Sequence, residues 1–394
     1  MSAVEPFKNL LNPALVMRMA QHLQRAHRRF DAPGFTALAI AGLEDLEMKA
    51  RAMQIASALE TTLPADFDRA CGVLEAALAP PWPGDRLGSD DPCRDGLEGW
   101  ALWPVGEFVA RRGGHDVPRA LQALHAVTQR FSAEFAIRPF IVQAPDTVFA
   151  TLQRWTSDPS AHVRRLVSEG SRPRLPWGIR LQALVEDPAP TLPLLAALQD
   201  DPSEYVRRSV ANHLNDIAKD HPDVVVDWVT RHRPGASAAR LALLRHASRS
   251  LVKAGHPGML AAWGLGHAFK GRAALRLGAT HCRLGEHLPF SLTLASTAKR
   301  PQALVVDYAV HHVKADGSRR PKVFKGWTLT LAPGETRVLE RRHPLKVVTT
   351  RRYHRGRHAL DLRLNGQVVA HAEFELEIEC IDPPSPAGRA GSRP

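Results

Sequence analysis

Only four cysteines occur in 394 residues, and Cys71, Cys93, Cys282 and Cys380 stand far apart with no Cys-x-x-Cys pair. So few, so scattered, they leave no disulfide framework to read, and they are expected to be reduced, mostly buried thiols. Apolar runs are short, and none approaches the roughly 20 residues that a membrane helix needs. Residues 1–11 carry Glu5 early and no apolar signal core, so a cytoplasmic protein is expected. There is no Walker loop, no Gly-rich dinucleotide fingerprint and no Gly-x-Ser-x-Gly elbow, which removes the chemistries those motifs serve. His311-His312 and Tyr353-His-Arg-Gly-Arg-His358 lack a companion set of carboxylates or thiols, and no metal is expected there.

What is present is positive charge, unevenly spread. The chain carries a net +12, and from Lys270 onward there are 22 Lys and Arg against 11 Asp and Glu. Nearly all of the excess therefore sits in the last third. A concentrated positive field suits a polyanion, because neutralised phosphates release their condensed counterions. The densest stretch holds Arg337, Arg341, Arg342, Lys346, Arg351, Arg352, Arg355 and Arg357 with Glu340 as its one acid. Nearby Pro344 and Gly356 suggest loops from which Arg341, Arg342, Arg351 and Arg352 reach outward to the phosphates of such a polyanion.

Residues 1–268 read as helices, with apolar side chains at three- and four-residue steps and Pro or Gly between. A repeat is visible. Asp158-Pro-Ser-Ala-His-Val-Arg164-Arg165 returns 43 residues later as Asp201-Pro-Ser-Glu-Tyr-Val-Arg207-Arg208. In each copy the Asp is read as capping a helix that begins at the Pro. A weaker third copy places Arg245 and Arg249 in the same helix region. A period near 40 residues built of helix pairs indicates a HEAT-like solenoid. Residues 43–63 and 116–131 fit further helices, and 80–95, rich in Pro, Gly and Asp, reads as a surface loop. Past Gly271 the period changes to two, with strands expected at 288–294, 303–310, 328–331, 336–339, 358–364 and 367–377. Asn365-Gly366 between the last two is a strong hairpin signal. The expected architecture is an all-α HEAT-like repeat solenoid (1–268), then an all-β immunoglobulin-like antiparallel sandwich (270–382), then a disordered tail (383–394).

On a helix over 203–219, Val206, Val210, Leu214 and Ile217 share one side, leaving Arg208, Asn212, Asn215 and Lys219 opposite with Asp216 at the edge. That face is either simply solvated or a donor surface for phosphates. In the preceding copy Val163, Leu166 and Val167 form the buried stripe. A segment with Arg172, Arg174, Arg180 and Trp177 follows, and Trp177 is read either as a core residue or as a contact for a sugar or base.

Three stretches carry a resemblance. They are Glu134-Phe-Ala-Ile-Arg-Pro-Phe, Val163-Arg-Arg-Leu-Val-Ser-Glu-Gly-Ser-Arg-Pro-Arg-Leu-Pro-Trp177, and Val206-Arg-Arg-Ser-Val-Ala-Asn-His-Leu-Asn-Asp216-Ile-Ala-Lys-Asp-His-Pro. Together they resemble the AlkC branch of the HEAT-like repeat DNA glycosylases, related to AlkD, and the likeness covers nearly the whole chain except the tail. The resemblance implies a monomeric bacterial, nucleoid-associated enzyme that needs no cofactor. It implies excision of 3-methyladenine and 3-methylcytosine from alkylated double-stranded DNA without base flipping. Glu134 and Asp216 would be the catalytic carboxylates, with Trp177 against the sugar. Arg164, Arg165, Arg207 and Arg208, one of each pair, would contact phosphates, joined by Arg172, Arg174, Asn212, Lys219, Arg245 and Arg249. Glu134 taken alone reads as a helix partner of Arg138, and the whole chain as a non-catalytic DNA-binding or damage-sensing scaffold.

Overall fold

The computed structural model describes residues 6–85, 88, 93–348 and 352–378. Arg351, Cys380 and the expected tail lie outside them. The chain divides into two compact units, Met1–Ser248 and Arg249–Pro394.

The first unit is helical: α1 (Pro13–Ala26), α2 (Ala32–Ile40), α3 (Met48–Thr62), α4 (Phe67–Ala76), α5 (Leu102–Arg112), α6 (Val117–Thr128), α7 (Arg138–Gln143), α8 (Pro145–Trp155), α9 (Ala161–Gly170), α10 (Gln182–Glu186), α11 (Leu192–Leu198), α12 (Glu204–Ile217), α13 (Pro222–His232) and α14 (Ala238–Ala247). Several starts are set by one short polar residue. The side chains of Asn12, Asp31, Asp66 and Asp116 each accept a bond from the amide three residues on.

The repeated motif works differently from its sequence reading. α9 and α12 start three residues after the Asp, with Ser160 and Ser203 as caps that make no side-chain capping bond. Asp158 and Asp201 instead accept from the Ser160 and Ser203 amides, at 2.8 and 2.9 Å, forming a tight turn ahead of each helix. α12 packs between α9 and α14. Val206, Val210, Leu214 and Ile217 are buried as the periodicity requires, but so are Asn215 and Asp216. A helix with neighbours on both flanks has a narrower solvent face than its apolar stripe alone predicts.

The second unit opens with α15 (Arg249–Ala254) and α16 (Pro257–Ala262), so the change of unit precedes the helix-to-strand change that places the sequence-drawn boundary at 268. Its strands are β1 (Gly271–Leu277), β2 (His281–Arg283), β3 (His287–Ser296), β4 (Gln302–Val313), β5 (Arg319–Leu331), β6 (Thr336–Pro344), β7 (Gly356–Leu364) and β8 (Gln367–Glu377). They form a three-stranded sheet, β1-β3-β6, and a five-stranded one, β2-β8-β7-β4-β5. Pairing is antiparallel except that β2 runs parallel to β8, a departure from the wholly antiparallel expectation. Inward residues of both sheets, among them Leu292, Leu294, Val306, Tyr308, Leu362 and Phe374, make one core. Asn365 and Gly366 have φ of 48° and 79°, the left-handed pair that a two-residue hairpin demands. Among the described residues no helix is long and apolar enough to cross a membrane.

Candidate active site

A cleft of about 1020 Å³ opens in the helical unit, with aromatic walls and an ionic floor. Trp177 is 62% exposed, which removes the core reading of this residue. Its ring lies parallel to that of Trp103 at 6.3 Å, and Phe7 is 6.2 Å away. Trp100 joins the same wall through Phe7 and Phe131, at 4.8 and 5.0 Å. Trp177 also has φ of 66°, a left-handed backbone that non-glycine residues adopt at a cost.

The floor is an alternating chain of charges. Arg165 donates to Glu134 at 2.5 Å and lies 3.6 Å from Glu169. Arg172 donates to Glu169 at 2.6 Å and to Asp216 at 2.8 Å, and Lys219 donates to the other Asp216 oxygen at 2.8 Å. Ser132 donates to Glu134 and Ser209 to Glu169, at 2.7 and 2.6 Å. Burial by itself pushes the Glu169 carboxyl up, but Arg165, Arg172 and these bonds outweigh it and hold the group below the usual carboxylate range. Tyr205 lies under the Arg165 guanidinium at 5.3 Å, and burial raises its phenol.

Glu134, Arg165, Arg172 and Trp177 line the cleft, together with Glu169 and Tyr205. Glu134 pairs with Arg165 rather than with its neighbour Arg138. Asp216 is 2% exposed and sits behind Arg172, outside the lining. The donors of Arg164 and Arg207 are turned inward. Arg164 grips Asp201 through two bonds of 2.6 and 3.0 Å, and both arginines return a nitrogen to the carbonyls of their own Asp-Pro turn. Of each pair, then, Arg165 turns to the cleft and Arg208 to solvent. Arg174 is paired with Asp220, and Asn212 Oδ1 accepts from His246 Nε2 at 2.8 Å. Arg245 and Arg249 are exposed. In the second unit Arg341 and Arg342 lie on β6, not in a loop, because that strand runs five residues further than its apolar alternation. Arg341 stacks on Trp327 at 4.5 Å; Arg342 and Arg352 are exposed.

Glu169 and Tyr205 were missed as candidates although both lie inside the motifs quoted above; their local sequence reads as ordinary helix. Trp82, inside the stretch read as a surface loop, lines the cleft and donates to buried Glu98 at 2.6 Å.

Residues 130–251 match the family described as DNA alkylation repair enzyme, and 272–378 match the C-terminal Ig-like domain of uncharacterised protein YhaZ. The chain is 33% identical over 379 residues to the uncharacterized protein YhaZ of Bacillus subtilis, covering 94% of this chain and 99% of that one. It also superposes on Pseudomonas fluorescens alkylpurine DNA glycosylase AlkC bound to DNA containing an abasic site analog. That match has a TM-score of 0.84 and 36% identity, covering 94% of this chain and 99% of the other.

Proposed function

This chain belongs to the AlkC family of DNA alkylation repair enzymes, and from that premise we propose that it hydrolyses the N-glycosidic bond of cationic alkylated bases in double-stranded DNA. Its substrates on this reading are 3-methyladenine and 3-methylcytosine. The observation that carries the proposal is the pair of carboxylates, Glu134 and Glu169, on the floor of a cleft walled by tryptophans. A base that is already cationic leaves with the bonding electrons and needs no acid to protonate it. As the C1′–N bond breaks, positive charge grows on the deoxyribose, and a nearby carboxylate stabilises it. Water then adds to C1′ and loses its proton to that carboxylate. Trp177 packs against the sugar at the rim, so the lesion need not leave the helix. Asp216 acts through Arg172, fixing the guanidinium that holds Glu169. Arg165 and exposed Arg208, Lys219 and Arg245 supply phosphate contacts along the helical unit, which we read as a HEAT-like array working as a monomer, and Arg249 supplies one at the start of the second unit.

Release of free methylated base from alkylated duplex DNA tests the reading. Glu134→Gln and Glu169→Gln should each cut release on the order of 10²-fold or more while DNA binding persists. Tight binding of alkylated DNA with no base set free by the unmodified protein would make it a damage sensor instead.

A further inference from the structure

Arg138 is a large side chain with no exposed surface at all. Its partners are backbone carbonyls: Nε donates to Ile179 at 2.7 Å, and Nη1 donates to Gly170 at 2.9 Å and to Arg172 at 2.8 Å. Of the three acceptors, Gly170 is the last residue of α9 and Arg172 lies two beyond it, where unpaired carbonyls and the helix dipole favour a cation. Burial pulls the Arg138 guanidinium down to about 10, which still leaves it charged at neutral pH.

These three bonds bracket one loop. Gly170 and Arg172 stand at its start, Ile179 at its end, and Arg172 and Trp177 are the cleft residues it presents. The fit around the bracket is close. A methyl group on Gly170 would lie 2.6 Å from Ile137, and one on Gly178 would lie 3.1 Å from Arg138 Nε and 3.2 Å from Leu175. Trp177, directly before Gly178, carries the left-handed φ of 66° that an unrestrained loop would abandon.

We propose that Arg138 is a positioning residue, whose buried guanidinium fastens the 170–179 loop so that Arg172 and Trp177 stay fixed at the cleft. An arginine serving only core stability would be equally buried but would leave the presentation of Trp177 unchanged when replaced. The activity readout of the test rests on the glycosylase reading; the spectroscopic one does not.

The test compares the full chain with Arg138→Lys, which keeps the charge but not the fork that spans three carbonyls. Acrylamide quenching of Trp177 is isolated by subtracting the matched Trp177→Phe protein. Expected are a change in the Trp177 quenching constant of about twofold and a loss of base release on the order of 10²-fold, the scale of a misplacement near 1 Å. Affinity for undamaged duplex should move less than about threefold. Adding Trp177→Ala to Arg138→Lys should cost less than the product of the two separate losses, because both act through one loop. Gly178→Ala crowds Nε without removing the guanidinium, and it carries the same readouts if Arg138→Lys does not fold. Unchanged Trp177 quenching in a folded variant, or fully multiplicative losses, overturns the proposal. If the unmodified protein releases no base, the glycosylase reading fails while the quenching result still decides the role of Arg138.

Discussion

Trp177 stands proud of the surface with its ring leaning on Trp103, and its replacement therefore removes little buried area. Trp177→Ala should change unfolding free energy by only about 0.5 kcal/mol, as surface substitutions do. Base release should fall at least tenfold; a single-turnover assay beside a thermal melt separates the two effects. A second residue reports on pH. His213 is fully buried, its Nδ1 donating to the Ser168 carbonyl at 2.9 Å, and burial drives its imidazole down to about 4. The unfolded chain titrates near 6.5 and takes up a proton that the folded one refuses. Stability from this group is therefore complete above about pH 6.5 and erodes as pH falls toward 4. Unfolding measured from pH 7 to 5 should show that loss, and His213→Asn should flatten it. These assignments were only partly legible in the sequence. Glu134 and Trp177 were marked by their motifs, whereas the partner of Glu134 stands 31 residues away and no local spacing encodes it.

Among the elements, the Asp-Pro motifs were read correctly as preceding helices, but each helix starts two residues past the Pro and the Asp shapes the turn before it, where Asp201 also answers Arg164 from the preceding copy. Asp201→Ala leaves the part-buried Arg164 guanidinium without its carboxylate and the Ser203 amide without its acceptor. A loss of about 2 kcal/mol or more is expected in denaturant unfolding. Arg208→Ala, on a side chain 67% exposed, should leave the same curve in place. In the second unit the Asn-Gly hairpin was unmistakable, since two left-handed residues in a row admit little else. β1 and β2 escaped notice: β2 spans three residues, and β1 keeps its alternate side chains only half covered.

For the whole molecule, the uneven charge was the plainest sequence signal, and it falls in the unit built of strands. Exposed Arg342 and Arg352 leave its surface free to meet phosphates. The double variant Arg342→Ala/Arg352→Ala should weaken binding to any duplex sequence alike. It should reduce the log–log salt slope by roughly two if each neutralises one phosphate. Titrations at several salt concentrations check this, and an unchanged slope would mean that neither side chain meets DNA.

The grip of Arg164 on Asp201 has a consequence for how such a chain changes length. The first copy offers Arg164 forward and the second receives it on Asp201, whereas Asp158 of the first copy is met by His125. A complete copy inserted between the two would bring both halves of the link, so every charge would again find its counterpart. A partial insertion would strand one. An insertion or deletion here is therefore tolerated most readily in steps of one whole copy, the only step that keeps a carboxylate in front of Arg164.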